Sequence, residues 1–155
     1  MSYLISPLGD DPVELEALFP ASRRQVFAAF VEPDKFARWL GGNGAVKVEI
    51  EPTLGGAWMA VFSDGPDGLS FVEGAYTEMD PVRRLAFTWR HVQVDRDGER
   101  RVSPLSEVTV TLDEEGASTR LRLRHKGVSE DGRKSVGPGW NASLERLGEV
   151  LDREG

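Results

Sequence analysis

The sequence contains no cysteine, and its 155 residues include only two histidines, two tyrosines and three methionines. The missing thiol excludes disulfides, thiolate metal sites and cysteine nucleophiles together. No run approaches the ~18 consecutive apolar residues that span a bilayer, so no membrane partner is expected. Residues Met1 to Pro12 hold neither the basic segment nor the apolar segment of a secretion signal, and the expected location is cytoplasmic. Positive charge is short as well: 19 Lys and Arg face 26 Asp and Glu, for a net charge of −7. That field opposes broad binding to nucleic acid or to anionic membranes. The motifs GxxxxGK[ST], GxSxG and HExxH are missing, and Asp95-Arg96-Asp97-Gly98 lacks the further oxygen ligands of a calcium loop. No metal and no cofactor is expected.

What is present is periodic. A chain of this length buries roughly 68–70% of its unfolded surface in one domain. Residues 1–11 show no periodicity and read as a flexible arm, with a single domain over 12–155. Val13, Leu15, Ala17 and Phe19 alternate with Glu14, Glu16 and Leu18, which is strand spacing. Ser22 and Gln25 form a capping box ahead of a helix that buries Val26, Phe27 and Phe30. Pro33 suits the first turn of a second short helix, whose Phe36, Trp39 and Leu40 share a face and which Gly41-Gly42 ends. About six strands follow. Val108, Val110 and Leu112 alternate with threonines, and Leu121, Leu123 and His125 alternate with arginines, so one face of an antiparallel sheet is buried and one wet. Asp97-Gly98 suits a hairpin tip. Tyr76, with Gly74, Val72 and Glu78, is assigned to the inner face, and Glu73 to the outer. The last element is a helix with Pro138 in its first turn and Trp140, Leu144, Leu147 and Leu151 on one stripe. Strands grouped between helices define an α+β fold with helices on one face of the sheet.

Few motifs carry chemistry. Gly137-Pro138-Gly139-Trp140-Asn141-Ala142 matches the dinucleotide fingerprint GxGxxA, which acts only inside a strand–helix–strand unit with an acid about 20 residues later. Neither follows here. Asn141-Ala142-Ser143 matches a glycosylation sequon but lies in the helix. His91 continues the inward phase of Phe87 and Trp89, and His125 that of Leu123. A shared interior would let a neutral imidazole act as donor, acceptor or general base. Capping of strand ends is the plainer role. The tryptophans Trp39, Trp58, Trp89 and Trp140 all sit on apolar faces, where core packing competes with a place in a cavity wall.

An ordered set of short motifs links the chain to a family. The set includes Val26-Phe27, Pro33, Arg38-Trp39, Gly55-Gly56, Gly74-Ala75-Tyr76, Arg84-Leu85, Phe87-Thr88-Trp89, Ser106-Glu107-Val108-Thr109-Val110-Thr111-Leu112, His125-Lys126-Gly127 and Gly139-Trp140. Together they resemble the activator of heat-shock-protein-90 ATPase homologue-like family, within the START-related helix-grip superfamily, SRPBCC. Thr53 departs from the pattern, where Arg is expected before the double glycine. The resemblance implies a helix-grip fold: a curved antiparallel sheet around a long C-terminal helix, two short N-terminal helices and a hydrophobic cavity. It implies no catalytic motif.

The expected function is binding of a small hydrophobic or amphipathic molecule in that cavity. Alternatives are a cyclase- or aromatase-type enzyme using His91, His125 or Tyr76 for proton transfer, and a co-chaperone-like interaction module. Trp39, Trp58, Phe62, Tyr76 and Phe87 are expected to line the cavity, as are Trp89, His91, His125, Trp140 and Leu144. The strand Ala57 to Ser63 is apolar on both faces, Trp58, Ala60 and Phe62 on one and Ala57, Met59 and Val61 on the other. A partner copy is expected to cover the second face, giving a homodimer.

Overall fold

The alternations produce one continuous antiparallel sheet. The computed structural model describes residues 2–41 and 44–154, so Gly42, expected to help end the second helix, lies outside the described residues. The strands are β1 (Ser2–Leu4), β2 (Val13–Phe19), β3 (Lys47–Ile50), β4 (Ala57–Gly65), β5 (Gly68–Asp80), β6 (Arg84–Asp95), β7 (Arg100–Val102), β8 (Ser106–Glu115) and β9 (Ser118–Lys126). The helices are α1 (Arg23–Val31), α2 (Pro33–Trp39) and α3 (Glu130–Glu154). The sheet order is β1-β2-β9-β8-β6-β5-β4-β3, with β7 pairing on the far part of β6. This is the helix-grip α+β fold, a curved antiparallel sheet packed on a long C-terminal helix.

Every second residue of β2, β8 and β9 points to the helix side. Leu15, Ala17, Phe19, Val108, Val110, Leu121 and Leu123 are all buried, in one cluster with Leu144, Leu147 and Leu151 of α3. On the opposite face, Arg120 bridges Glu16 of β2 and Glu115 of β8. The register sets these pairs, since Leu18 and Asp113 flank Arg120 while Glu16 faces Arg122. The Asp97-Gly98 turn joins β6 to β7, with Gly98 N–H donating to the Asp95 carbonyl (3.0 Å).

Three irregularities interrupt the ladders, the first a register shift between Val61 and Ser63 that leaves Phe62 of β4 unpaired. A register shift between Tyr76 and Glu78 inserts one extra residue into β5 and reverses the phase beyond it. Tyr76 is buried as expected, but Glu78 pairs with Arg84 on the outer face (2.9 Å), correcting its inward assignment. Glu73 lies outside, paired with Arg90. At Gly74 the β5–β6 ladder opens. A Cβ on Gly74 would sit 1.8 Å from the Thr88 carbonyl oxygen; without it, the Trp58 indole N–H crosses the strand to donate to that oxygen (3.1 Å). The Thr88 hydroxyl accepts from the Ala75 N–H (2.9 Å) in place of a ladder bond.

Two boundaries differ from the sequence reading. Residues Ser2–Leu4, placed in the flexible arm, form an edge strand on β2. The Ser2 N–H donates to Glu145 (2.8 Å) and its hydroxyl donates to Asn141 Oδ1 (2.7 Å), which ties the start of the chain to α3. Short polar residues of this kind leave no periodic mark. The last helix begins at Glu130 rather than at Pro138, which stands inside it. Glu130 and Asp131 in its first turn favour initiation there. Pro138 lies on the exposed side, where its cost is the missing hydrogen bond rather than a clash with the sheet.

The short helices follow their capping residues. Ser22 Oγ accepts from the Gln25 N–H and Gln25 returns the bond to the Ser22 N–H. Phe30, Phe36 and Trp39 pack edge to face, and the Trp39 indole donates to the Ala29 carbonyl (2.9 Å). Leu144 is fully buried at the centre of the helix–sheet contact. Leu144→Ala is expected to destabilise the fold by about 2–5 kcal/mol, read from urea unfolding midpoints. A loss below about 1 kcal/mol would remove Leu144 from the core.

Candidate functional site

Helix α3 packs differently along its length. Its C-terminal half presents Leu144, Leu147, Val150 and Leu151, all buried, and the space beneath is filled. Its N-terminal half presents Gly132, Ser135, Val136 and Gly139. Small side chains at a helix–sheet spacing set by leucines leave a void. Two adjoining chambers result, of about 150 Å³ and about 290 Å³, which share Phe62, Trp89, His125 and Val136.

The smaller chamber lies among Leu40, Gly41, Phe62, Trp89 and Trp140. The rings of Trp89 and Trp140 are 5.2 Å apart, and Trp89 meets His125 edge to face at 5.6 Å. Gly41 is in the left-handed region at φ +80°, and a Cβ there would come within 2.8 Å of the Phe62 ring. Its N–H donates to Ser143 Oγ (2.9 Å), and the Ser143 hydroxyl donates to the Gly139 carbonyl (3.0 Å). One serine thus ties the end of α2 to α3. The larger chamber adds Val72, Val128 and Pro104 as apolar walls, with His91, Ser103, Ser129 and Ser135 as polar ones.

His125 joins the helix to the sheet. Indole N–H groups only donate, so Trp140 Nε1 gives its hydrogen to His125 Nδ1 (3.0 Å). The neutral ring therefore carries its proton on Nε2 and donates to Ser106 Oγ (2.7 Å). Ser106 in turn donates to the Trp89 carbonyl (3.2 Å). Every proton in this chain has an acceptor, and neither ring nitrogen has a lone pair to offer a substrate. Burial holds the imidazole pKa at about 4, against a weaker upward pull from Asp11. His91 is less constrained. Nε2 lies 2.9 Å from Ser70 Oγ, its backbone N–H donates to Ser103 Oγ (2.9 Å), and burial lowers its pKa. Its other ring nitrogen has no hydrogen bond among the described residues.

Of the ten residues expected at the cavity, the structure brings together Phe62, Trp89, His91, His125 and Trp140. The other five lie elsewhere. Trp39, Phe87 and Leu144 are packed in the filled core, as is Tyr76, whose phenol burial pushes upward in pKa. Trp58 is buried too, and its indole edge borders a groove on the outer face of the sheet. These residues share the inward phase of those that border the chambers, but phase assigns a face and not a position along it. The sequence reading missed Val136, Ser129, Ser135 and Gly139. Apart from Val136 they are small or polar and carry no hydrophobic period that could mark them.

The outer groove, open to solvent and about 670 Å³ in volume, lies beside Glu49, Ile50, Met59, Glu73, Arg90 and Leu105. On the doubly apolar strand, Ala57 is exposed and Met59 half-buried, whereas Val61 is buried within the chain itself. No cluster of acidic or histidine side chains able to hold a metal occurs among the described residues. No helix among them is long and apolar enough to cross a membrane.

A curved sheet gripping a C-terminal helix over an internal cavity defines the helix-grip class of proteins. Within it, the chain belongs to the Activator of Hsp90 ATPase homolog 1-like family, whose model matches residues 20–152. Solved structures share the fold. A Rhodobacter sphaeroides protein is 18% identical with a TM-score of 0.76, over 99% of this chain and 97% of that one. A Chromobacterium violaceum protein is 24% identical with a TM-score of 0.74, over 92% and 99%. CalU16 from Micromonospora echinospora is 24% identical with a TM-score of 0.65, over 99% and 85%. No curated protein matches the sequence.

The tautomer of His125 has a measurable consequence. The unfolded imidazole takes up a proton near pH 6.5, but the folded one only near pH 4. The unfolded state therefore binds more protons in that window, and stability falls as pH drops from about 6.5 toward 4. The slope is up to about 1.4 kcal/mol per pH unit for one such group. His91 acts in the same direction from the same starting pH. Glu16 and Glu115, held low by Arg120, and Glu145, held low by Ser2, contribute only below their ordinary value of 4.5. Long-range proton–nitrogen NMR should show His125 as the Nε2–H tautomer, unchanged between pH 7.5 and 5.5. Titration of that ring near pH 6.5 would contradict the assignment.

Proposed function

We propose that the chain binds a small hydrophobic or amphipathic molecule between the sheet and α3. The observation that carries this reading is the pair of adjoining chambers under the small-residue half of the helix. Their apolar walls with a few polar groups are those of small-molecule sites. The committed ring of His125 weighs against an enzyme built on that histidine, and Tyr76 lies outside both chambers; His91 is left as the polar group within reach of an occupant. A cytoplasmic location belongs to the same proposal.

A second reading concerns partners and rests on the outer groove, where Met59 and Leu105 present apolar surface beside the Glu73–Arg90 pair. A second copy of the chain seated there would give the homodimer, and a chaperone contact would use the same face. Multi-angle light scattering at micromolar concentration is expected to return twice the chain mass of 17.1 kDa, and Met59→Glu to return the monomer. A monomeric mass for the unaltered chain counts directly against the dimer.

Val136 borders both chambers, so Val136→Trp fills them from the helix side. N-phenyl-1-naphthylamine, an uncharged probe that brightens in apolar surroundings, is expected to bind the unaltered chain. The variant should bind it at least tenfold more weakly, while circular dichroism shows the same fold. Equal binding by both proteins would place the probe elsewhere and remove the support for a ligand cavity.

A further inference from the structure

We infer that the natural occupant is an uncharged molecule, with a cyclic hydrocarbon end in the smaller chamber and an oxygen-bearing end in the larger. This rests on the ligand-binding reading above and gives it a chemical class. Among the described residues, no lysine, arginine, aspartate or glutamate lines either chamber. A charge placed against these walls would give up hydration without gaining an oppositely charged partner. The histidines do not supply one. Protonating His125 Nδ1 would set an N–H against the Trp140 N–H that now donates to it, and half-buried His91 is held toward its neutral form.

The start of α3, which lies beside the larger chamber through Ser129 and Gly132, is the one feature that favours an anion. It already faces Glu130 and Asp131 of its own first turn. Arg133 of the same turn is held on the Val128 carbonyl through Nε (3.1 Å) and does not line the chamber.

The two chambers also differ from each other in polarity. In the smaller one, the Ser143 hydroxyl, the Gly41 N–H and the Trp140 N–H all have protein partners, so what faces the void is hydrocarbon. Its volume of about 150 Å³ has room for one aromatic ring. The larger chamber retains bonding capacity. One ring nitrogen of His91 and the Ser129 hydroxyl have no hydrogen bond among the described residues. Ser135 Oγ donates to the Gly132 carbonyl (3.1 Å) and keeps its acceptor lone pairs. Hydroxyls both donate and accept, so this end suits a hydroxyl or a carbonyl on the occupant.

Four biphenyls of matched shape test the inference at pH 7.5: 4-hydroxybiphenyl, biphenyl-4-carboxylate, 4-(aminomethyl)biphenyl and biphenyl itself. Tryptophan fluorescence and calorimetry give the affinities. The phenol is expected to bind at least tenfold more tightly than the carboxylate and the ammonium compound, and any smaller margin overturns the inference. His91→Phe should reduce the phenol to the affinity of biphenyl, with Ser129→Ala as the second variant should His91→Phe fail to fold. An unchanged preference for the phenol in the folded variant would refute the assigned orientation. Tight binding of the carboxylate that Val136→Trp abolishes would leave the cavity standing and sink only the charge rule. Failure of all four compounds to bind would instead defeat the ligand-binding reading and this inference with it.

Discussion

The structure depends on the contact between α3 and the concave face of the sheet. A helix lies on a sheet at a distance fixed by its buried side chains, and in α3 these are Trp140, Leu144, Leu147, Val150 and Leu151. They set the separation for the whole helix, because the helix is a rod. Nearer the start of the helix Gly132, Ser135, Val136 and Gly139 border the chambers, and none of them is long enough to fill them. The cavity is thus a consequence of size distribution along one helix, and the aromatic rings of Trp89, Trp140 and Phe62 mark its border with the filled core.

Most of the fold was legible in the sequence, because burying one face of a strand or helix imposes a period. The alternation in β2, β8 and β9, the capping box at Ser22 and the leucine stripe of α3 all translate directly. The bulge at the end of β5 was not legible. One extra residue moves Glu78 to the other face, and its side chain gives no sign of which residue is unpaired until the neighbouring strand is in place. The candidate site was half legible for a related reason. Periodicity says that Trp58 and Trp89 point the same way, but not that Trp58 meets the packed rings of Phe36 and Phe87 (6.0 and 5.3 Å) while Trp89, itself packed on Trp58 (5.5 Å), also borders the chambers. Serine and glycine carry no hydrophobic signal, so the helix residues that open the cavity were invisible to the reasoning that found its aromatic wall.

Polar groups in this interior behave as fasteners. Ser2 joins β1 to α3, Ser143 joins α2 to α3, and the Trp140–His125–Ser106–Trp89 chain joins α3 to β9, β8 and β6. No buried side-chain nitrogen or oxygen among the described residues lacks a hydrogen bond. A buried polar network that is completely satisfied holds one geometry and penalises every other. Here the ties converge on α3 from several elements, so the helix that roofs a hollow is nevertheless fixed in rotation and in register.

Pro138 gives that roof a seam. It removes one amide from the helical ladder near the point where the leucine-packed half of α3 gives way to the half that spans the chambers. Gly137 and Gly139 on either side lower the helical propensity further. Cooperative unfolding units tend to end where packing and backbone hydrogen bonding are both thin. The turns from Glu130 to Gly137 therefore have fewer buried anchors than the turns that carry Leu144, Leu147 and Leu151. The exchange of backbone amides in α3 would then run at two rates, fast before the proline and slow after it, in a helix that looks continuous.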